Sequence, residues 1–392
     1  MTDALTLRRP GAGTDGPAAV VSVVAFSIAL GIGTVALPLL ALASGYSPAT
    51  IGLLAASSAI TQLLARLQLP WLLDRMPDRV LIAAAGVLLG ASYLALLLSA
   101  SLPSFIVSQL LQGSARALFW TATQTHAVRG ASGTVRTLAK VMGLSGVGSM
   151  IGPVLAGVLA GISFAAALGA GLATAVLTTV ACLGLDRLPP YARRAEPTGT
   201  QLWRRSGVDL ACWSNFAGGG WRAILGSYVP VILTAAGLAP GIVGSLVALA
   251  DAAGIAILVV LVRLPSQRIH PALELGVVAA CLALAALPAA ASAPVAVGIL
   301  LALGGAGAGT IVTLGPAVAS ESVRASEQGA AIAAAGTFRA AALLLAPAAV
   351  AGSLSAIGLG PAIALVALAI GAPTLVVRRL PRRLGLGTPS AT

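Results

Sequence analysis

The chain has 392 residues, 58% of them hydrophobic and only 9% charged, with a formal net charge of +12. Water-soluble domains carry about 25% charged residues, so the composition excludes a soluble enzyme or a soluble nucleic-acid-binding domain. Apolar runs longer than the roughly 20 residues that cross a bilayer recur along the whole chain, which makes it an integral membrane protein of the all-α class.

Residues 1–16 hold Arg8 and Arg9 and read as a tail. The apolar run that follows continues into further spans without a clear cleavage site, so a retained first span is expected rather than a removed signal peptide. Twelve spans are predicted, at approximately 17–42, 49–72, 79–100, 103–126, 137–160, 163–185, 208–235, 241–263, 272–290, 294–318, 329–354 and 358–377.

The connections between spans alternate in chemistry. Residues 44–48, 100–104, 161–163, 235–241, 288–294 and 353–358 contain no lysine or arginine. The alternate connections hold Arg75 and Arg79, then Arg129, Arg136 and Lys140, then Arg187 to Arg205, then Arg263 and Arg268, then Arg324. Both termini join the basic set, through Arg8, Arg9, Arg378, Arg379, Arg382 and Arg383. Basic loops stay in the cytoplasm, so an even number of spans with both termini inside is expected, in the inner or plasma membrane.

Residues 186–207 form the longest polar segment, with Pro189, Pro190, Pro197 and several arginines. They read as a cytoplasmic linker between an amino-terminal six-helix bundle, 17–185, and a carboxy-terminal one, 208–377, with a tail at 378–392. Trp203 beside Arg204 and Arg205 suggests contact with the membrane surface, as a plain anchor or in a regulatory role. The bundles look related. Arg75-Met-Pro-Asp-Arg79 after the second span corresponds to Arg263-Leu-Pro-Ser-Gln-Arg268 after the eighth. Ile151-Gly-Pro-Val-Leu-Ala-Gly157 in the fifth span corresponds to Leu345-Ala-Pro-Ala-Ala-Val-Ala-Gly352 in the eleventh. Both offsets are about 190 residues, the pattern of two parallel transporter halves.

The fifth span carries Gly143, Gly146, Gly148, Gly152 and Gly157. Gly148 and Gly152 make a small-xxx-small pair that admits a neighbouring backbone, and Pro153 removes an amide donor and favours a bend. Gly148, Gly152, Pro153 and Gly157 are therefore the candidate hinge between two moving bundles.

Three stretches resemble the major facilitator superfamily, across almost the whole chain. Pro70-Trp-Leu-Leu-Asp74-Arg75-Met-Pro-Asp-Arg79 is similar to that family's Gly-x-Leu-x-Asp-Arg-x-Gly-Arg-Arg signature, with Pro70 and Pro77 in place of its glycines. Gly148-Ser-Met-Ile-Gly152-Pro153-Val-Leu-Ala156-Gly157 is similar to the helix-five signature of the twelve-helix drug/proton antiporters, except at Ala156. Gln109-Leu-Leu-Gln112-Gly113 looks like a degraded Arg-x-x-Gln-Gly, with Gln109 in place of the arginine. The resemblance implies twelve transmembrane helices in two pseudo-symmetric six-helix bundles, alternating access, and export more than uptake.

A charge near the bilayer centre costs about 2.5–3.5 kcal/mol or more, so such groups line cavities or find partners. Arg66, Arg116, Arg222, Asp251 and Arg339 are the candidates. Asp251 is either the proton-coupling carboxylate or a fixed ion-pair partner of an arginine. Arg116, Trp213, Asn215, Arg222 and Arg339 are candidate cavity residues; the glycines 218–220 are expected to weaken the seventh span. Arg66 is expected to snorkel to the cytoplasm or to pair locally. Asp74, Arg75 and Arg79 read either as a cytoplasmic gate, with Asp74 near the start of a neighbouring helix, or as plain orientation signals.

Cys182, Cys212 and Cys281 lie far apart in apolar surroundings and suggest buried thiols rather than disulfides or a metal site. No phosphate-binding Gly-x-x-x-x-Gly-Lys-Ser/Thr occurs, and His126 and His270 are isolated, so no enzyme, metal, cofactor or nucleic-acid partner is expected. The expectation is a monomeric, proton-coupled exporter of a small organic compound, amphipathic or anionic. Its partners are the lipid bilayer, its solute and protons. The rival readings are an importer or facilitator of a small organic anion or metabolite, and a non-transporting membrane sensor or scaffold.

Overall fold

The computed structural model describes residues 15–130, 134–190, 202–324 and 327–383. The tails beyond these limits and linker residues 191–201 lie outside the described residues. Thirteen α-helices account for the twelve expected spans: α1 Asp15–Ala43, α2 Pro48–Leu73, α3 Asp78–Leu98, α4 Leu102–Gly130, α5 Thr134–Ile162, α6 Phe164–Ala181, α7 Val208–Leu225, α8 Tyr228–Ala235, α9 Pro240–Leu261, α10 Ile269–Ala290, α11 Pro294–Glu321, α12 Gln328–Ile357 and α13 Leu359–Arg383.

Ten of the described helices are long and apolar enough to cross a membrane by themselves. The two spans that fall short are α4, which carries Gln109, Gln112, Arg116 and Gln124, and the seventh, which is divided into α7 and α8. Large apolar side chains face outward on the array, among them Leu67 at 72%, Leu98 at 78% and Val262 at 86% exposure. A belt of this kind is stable against lipid and not against water.

The seventh span breaks nearly two turns later than the glycine run suggests. The α7 helix continues through Gly218, Gly219 and Gly220 and ends at Gly226, where Pro230 lacks the amide that would bond back to the preceding turn. The three glycines are packing notches instead. A Cβ added to Gly218 would lie 2.9 Å from Ile311 of α11, one on Gly219 3.1 Å from Arg339 Cα of α12, and one on Gly220 2.5 Å from Ile370 of α13.

The helices pair in the same way in both halves. α1 packs on α5 and α6 as α7 packs on α12 and α13. α3 packs on α4 and α6 as α10 packs on α11 and α13, and α2 on α4 as α9 on α11. The two main seams between the halves, α2 with α12 and α5 with α9, exchange under the same correspondence. Lipid removes the hydrophobic drive between helices, so these seams rely on small residues and close packing.

α5 runs unbroken past Pro153, and its glycines serve two different neighbours. Gly148 and Gly152 face α1 of the same half: a Cβ on Gly152 would lie 2.6 Å from Gly31 Cα, and one on Gly148 2.6 Å from Ser27 Cβ. Gly157 faces α9 of the other half, where a Cβ would meet Pro240 O and lie 3.1 Å from the Cα atoms of Gly241 and Gly244. Within the expected hinge, then, Gly148 and Gly152 belong to a seam inside one bundle, Gly157 lies on the seam between bundles, and Pro153 touches both, its ring against Gly31 of α1 and its carbonyl against Gly244 of α9.

On the side of the basic-free loops the halves are sealed. α1 is buried continuously from Gly31 to Ala41. Tyr228 of α8 is fully buried against Gly52 of α2, and its hydroxyl donates to Pro347 O of α12 at 3.0 Å. Gly226 opposes Thr34 of α1, 2.8 Å from an added Cβ.

Candidate functional site

Trp221 and Arg222 follow each other on α7 and point about 100° apart. Trp221 is 3% exposed and its ring fills the notch at Gly304 of α11. That anchor turns Arg222 toward α9, where Nη1 donates to Asp251 Oδ1 at 2.8 Å. The pair sits mid-helix on α9, with Arg222 30% and Asp251 18% exposed. By comparison Val259, about two turns further along α9, is 64% exposed. Partial accessibility inside the helix array is the property of residues lining an interior cleft. The second carboxylate oxygen, Asp251 Oδ2, is buried without a hydrogen-bond partner.

Two further guanidiniums lie within electrostatic range of Arg222: Arg116 on α4 of the amino-terminal half and Arg339 on α12. Arg116 donates to Gln112 Oε1, one turn away, at 3.5 Å, and Gln112 is 1% exposed. Trp120, one turn beyond Arg116 on the same face, is half-buried and joins Phe26 and Phe119 edge-on. Arg339 is placed by the contact of its backbone with Gly219 of α7. Arg66 interacts electrostatically with Arg339 and donates to Gly336 O of α12 at 3.4 Å. The expected snorkelling of Arg66 is therefore corrected: its side chain crosses to the other half. Among the described residues, neither Arg116 nor Arg339 meets a carboxylate.

Two of the expected cavity residues lie elsewhere. Asn215 is 4% exposed, donates to Ala211 O of its own helix at 2.9 Å and packs its amide against Gly315 of α11. It fills the α7–α11 seam. Trp213 lies nine residues before Arg222, about 13 Å along the helix. Its ring meets Phe338 edge-on at 5.0 Å and Phe216 at 5.7 Å. Trp203 stands 6.2 Å from Phe338, with Arg204 over its ring at 4.9 Å.

Near the basic loops, Asp74 is exposed at the end of α2, Arg75 stacks on Trp71 at 4.1 Å, and Arg79 reaches Leu185 O at 3.5 Å. The buried carboxylate in this stretch is Asp78, which sequence reasoning passed over. It is 1% exposed, accepts from Arg129 Nη1 at 2.8 Å and lies 3.4 Å from His126 Nδ1, both on α4. Arg129 Nη2 also donates to Pro189 O, fastening the start of the linker. The available signal was the spacing of His126 and Arg129, three residues apart on one helix face. The three cysteines are buried free thiols, and among the described residues no group of side chains could hold a metal ion.

No curated protein sequence matches the chain. Among solved structures it is similar to a mutant of the nucleoside transporter NupG, with 12% identity and a TM-score of 0.76 over 94% of this chain and 99% of that one. It is also similar to a POT family transporter in complex with 5-aminolevulinic acid, with 12% identity and a TM-score of 0.70 over 94% and 96% of the chains. A mutant of the peptide transporter POT in complex with sulfate gives 12% identity and a TM-score of 0.73 over 96% of each chain. At these identities the likeness is one of fold. In sequence, the profile of the Major Facilitator Superfamily matches residues 19–347. That match runs through both halves and both seams between them, so the chain belongs to the Major Facilitator Superfamily and is a multi-pass secondary transporter, not an enzyme.

Proposed function

We propose that the protein is a proton-coupled carrier of a small organic anion, taken through the arginine-lined cleft by alternating access, with Asp251 as the protonatable group. The observation that carries this reading is the Arg222–Asp251 pair, midway along α9 and partly accessible, with one carboxylate oxygen unpartnered. Protonation of Asp251 removes the negative half of that pair and frees the Arg222 guanidinium for an anion. Proton and anion then favour each other on the carrier, as reciprocal linkage requires. The basic loops and both termini are assigned to the cytoplasm of a cell-membrane protein, working as a monomer. The halves rock about the α2–α12 and α5–α9 seams, with Asp74, Arg75 and Arg79 as the cytoplasmic gate.

Direction separates two readings. Export, by exchange with protons, rests on the likeness of Gly148 to Gly157 to the drug/proton antiporter signature and suits an amphipathic solute that does not need Arg222. Uptake with protons rests on the shared arginine, which ties an anion to the protonated carrier. The pair is a contact of this chain, and we place uptake first for an anionic substrate.

The experiment uses the purified protein in liposomes loaded with a pH-sensitive dye and a panel of organic acids. Proton entry accompanying an acid supports cotransport, whereas proton movement opposite to the solute supports exchange. Solute flux with no proton movement removes Asp251 from this role.

A further inference from the structure

Charge accounting in the cleft narrows the substrate further, and this step rests on the anion reading above. Arg66, Arg116, Arg222 and Arg339 belong to one electrostatic group, linked through Arg222 and Arg339. Asp251 is the one carboxylate within hydrogen-bonding distance of any of them among the described residues, and it occupies Arg222 alone. Among the described residues, Arg116 has the neutral acceptor Gln112 Oε1, Arg66 has Gly336 O, and Arg339 has no side-chain hydrogen bond. With Asp251 ionised, the group carries a surplus of three positive charges in the low-dielectric middle of the protein. Such a surplus is costly unless something supplies counter-charge.

The surplus is also divided between the moving parts. Arg66 and Arg116 belong to the amino-terminal half, and Arg222 and Arg339 to the carboxy-terminal half. When the halves close on an empty cleft, like charges approach across it. One negative charge on a solute offsets one guanidinium and leaves the two halves still repelling. Two negative charges on one small molecule can engage both halves at once. Guanidinium groups suit this task, because each presents a planar fork to a carboxylate or phosphate.

We propose that the cleft is a dianion site, built for a small organic molecule with two carboxylate or phosphate charges bridging Arg116 to Arg222 and Arg339. The monoanionic analogue of the same size is bound weakly, because it leaves one half without a counter-charge. Arg66, on the amino-terminal half with Arg116, differs from the other three by its bond across the seam to Gly336 O.

The test is ligand binding by thermal unfolding of the full chain in phosphatidylcholine nanodiscs, where the lipid carries no net charge. The probes are matched pairs: succinate against butyrate, phthalate against benzoate, and glycerol phosphate against glycerate. At least one dianion is expected to bind about tenfold or more tightly than its partner. Arg116→Gln and Arg339→Gln should each erase that preference, and Arg116→Lys and Arg339→Lys, which keep the charge, should retain part of it. The unliganded melting temperatures show which variants are folded. Proton movement scored separately in proteoliposomes separates this claim from proton coupling: a dianion preference with no solute-driven proton movement sinks the coupling reading and leaves the dianion site standing. Equal binding within every pair, or a preference that survives both glutamine variants, would overturn the dianion site.

Discussion

Arg222 of α7 and Asp251 of α9 meet at 2.8 Å in the middle of the carboxy-terminal half, each partly exposed. The pair is expected to contribute to folding as well as to transport. Removing Arg222 leaves a carboxylate in the protein interior with no partner, which costs about 2 kcal/mol for a group that keeps some access to water. Arg222→Gln should lower stability by that amount, and Arg222→Gln with Asp251→Asn should recover much of it. The check is a double-mutant cycle read by thermal or denaturant unfolding. A double variant no more stable than Arg222→Gln alone would show that the pair is not coupled.

Asp78 is the more deeply buried acid, and its pair with Arg129 is closed to solvent on the Asp78 side at 1% exposure. Breaking a buried pair by removing one member costs about 3–5 kcal/mol. Asp78→Asn should therefore lower the melting temperature and the yield of folded protein more than any substitution at the exposed Asp74. Limited proteolysis between Asp186 and Pro190 should also speed up, since Arg129 holds Pro189 O at 2.7 Å.

The seam between the halves gives a paired test on one helix. A Cβ at Gly157 meets the backbone of α9, whereas one at Gly161 has nothing within 4 Å. Gly157→Ala should cost about 1–3 kcal/mol through overpacking and slow transport by forcing α5 from α9. Gly161→Ala should be neutral or stabilising, since glycine in a helix is less favourable than alanine by up to about 1 kcal/mol. Melting temperature and initial transport rate, measured on both variants, check the contrast. Equal effects would mean that the close contact at Gly157 is not needed.

Tyr228 seals the basic-free side by filling the space at Gly52 and donating to Pro347 O. Tyr228→Phe removes only the hydrogen bond and should cost about 1 kcal/mol. Tyr228→Ala empties the space and should cost about 3–5 kcal/mol, while making the cleft reachable by thiol reagents from that side. A single cysteine introduced at Thr34, opposite Gly226, reports the change by its labelling rate.

Glu327 and Arg205 are joined at 2.6 Å, tying the end of the linker to the start of α12. The bond from Arg205 holds the Glu327 carboxyl below its ordinary value of 4.5. A depressed folded-state value means that the contribution is present above about pH 4.5 and is lost as the pH falls through the lower folded value. The stability difference between wild type and Glu327→Gln should shrink on acidification through that window. A difference that grows instead would reverse the assigned sign.

Much of the architecture was legible because membrane spans are long and the alternation of basic loops is simple. The apolar runs and the two matching stretches at one offset mark the twelve spans and the two related halves. Details that depend on a neighbouring helix were not legible. Gly218, Gly219 and Gly220 look like a weak point in isolation, but α11, α12 and α13 fill their open side, and the break falls at Gly226. Asp74 and Asp78 are four residues apart, and only the position of Arg129 on α4 decides which is buried. Arg222 and Asp251 were visible as separate charges in apolar spans; their meeting depends on Trp221 docking at Gly304. Asn215 and Trp213 share a helix with Arg222 but face α11 and α12.

The most direct measurement of the central claim compares wild type and Asp251→Asn in proteoliposomes, scoring uphill accumulation of an organic anion under an acidic exterior and, separately, solute exchange at equal pH. The account predicts that wild type accumulates the anion, and that Asp251→Asn exchanges it but no longer accumulates it. Uphill accumulation by Asp251→Asn at the wild-type level would show that the proton travels by another route, and would reduce the Arg222–Asp251 pair to a structural bond.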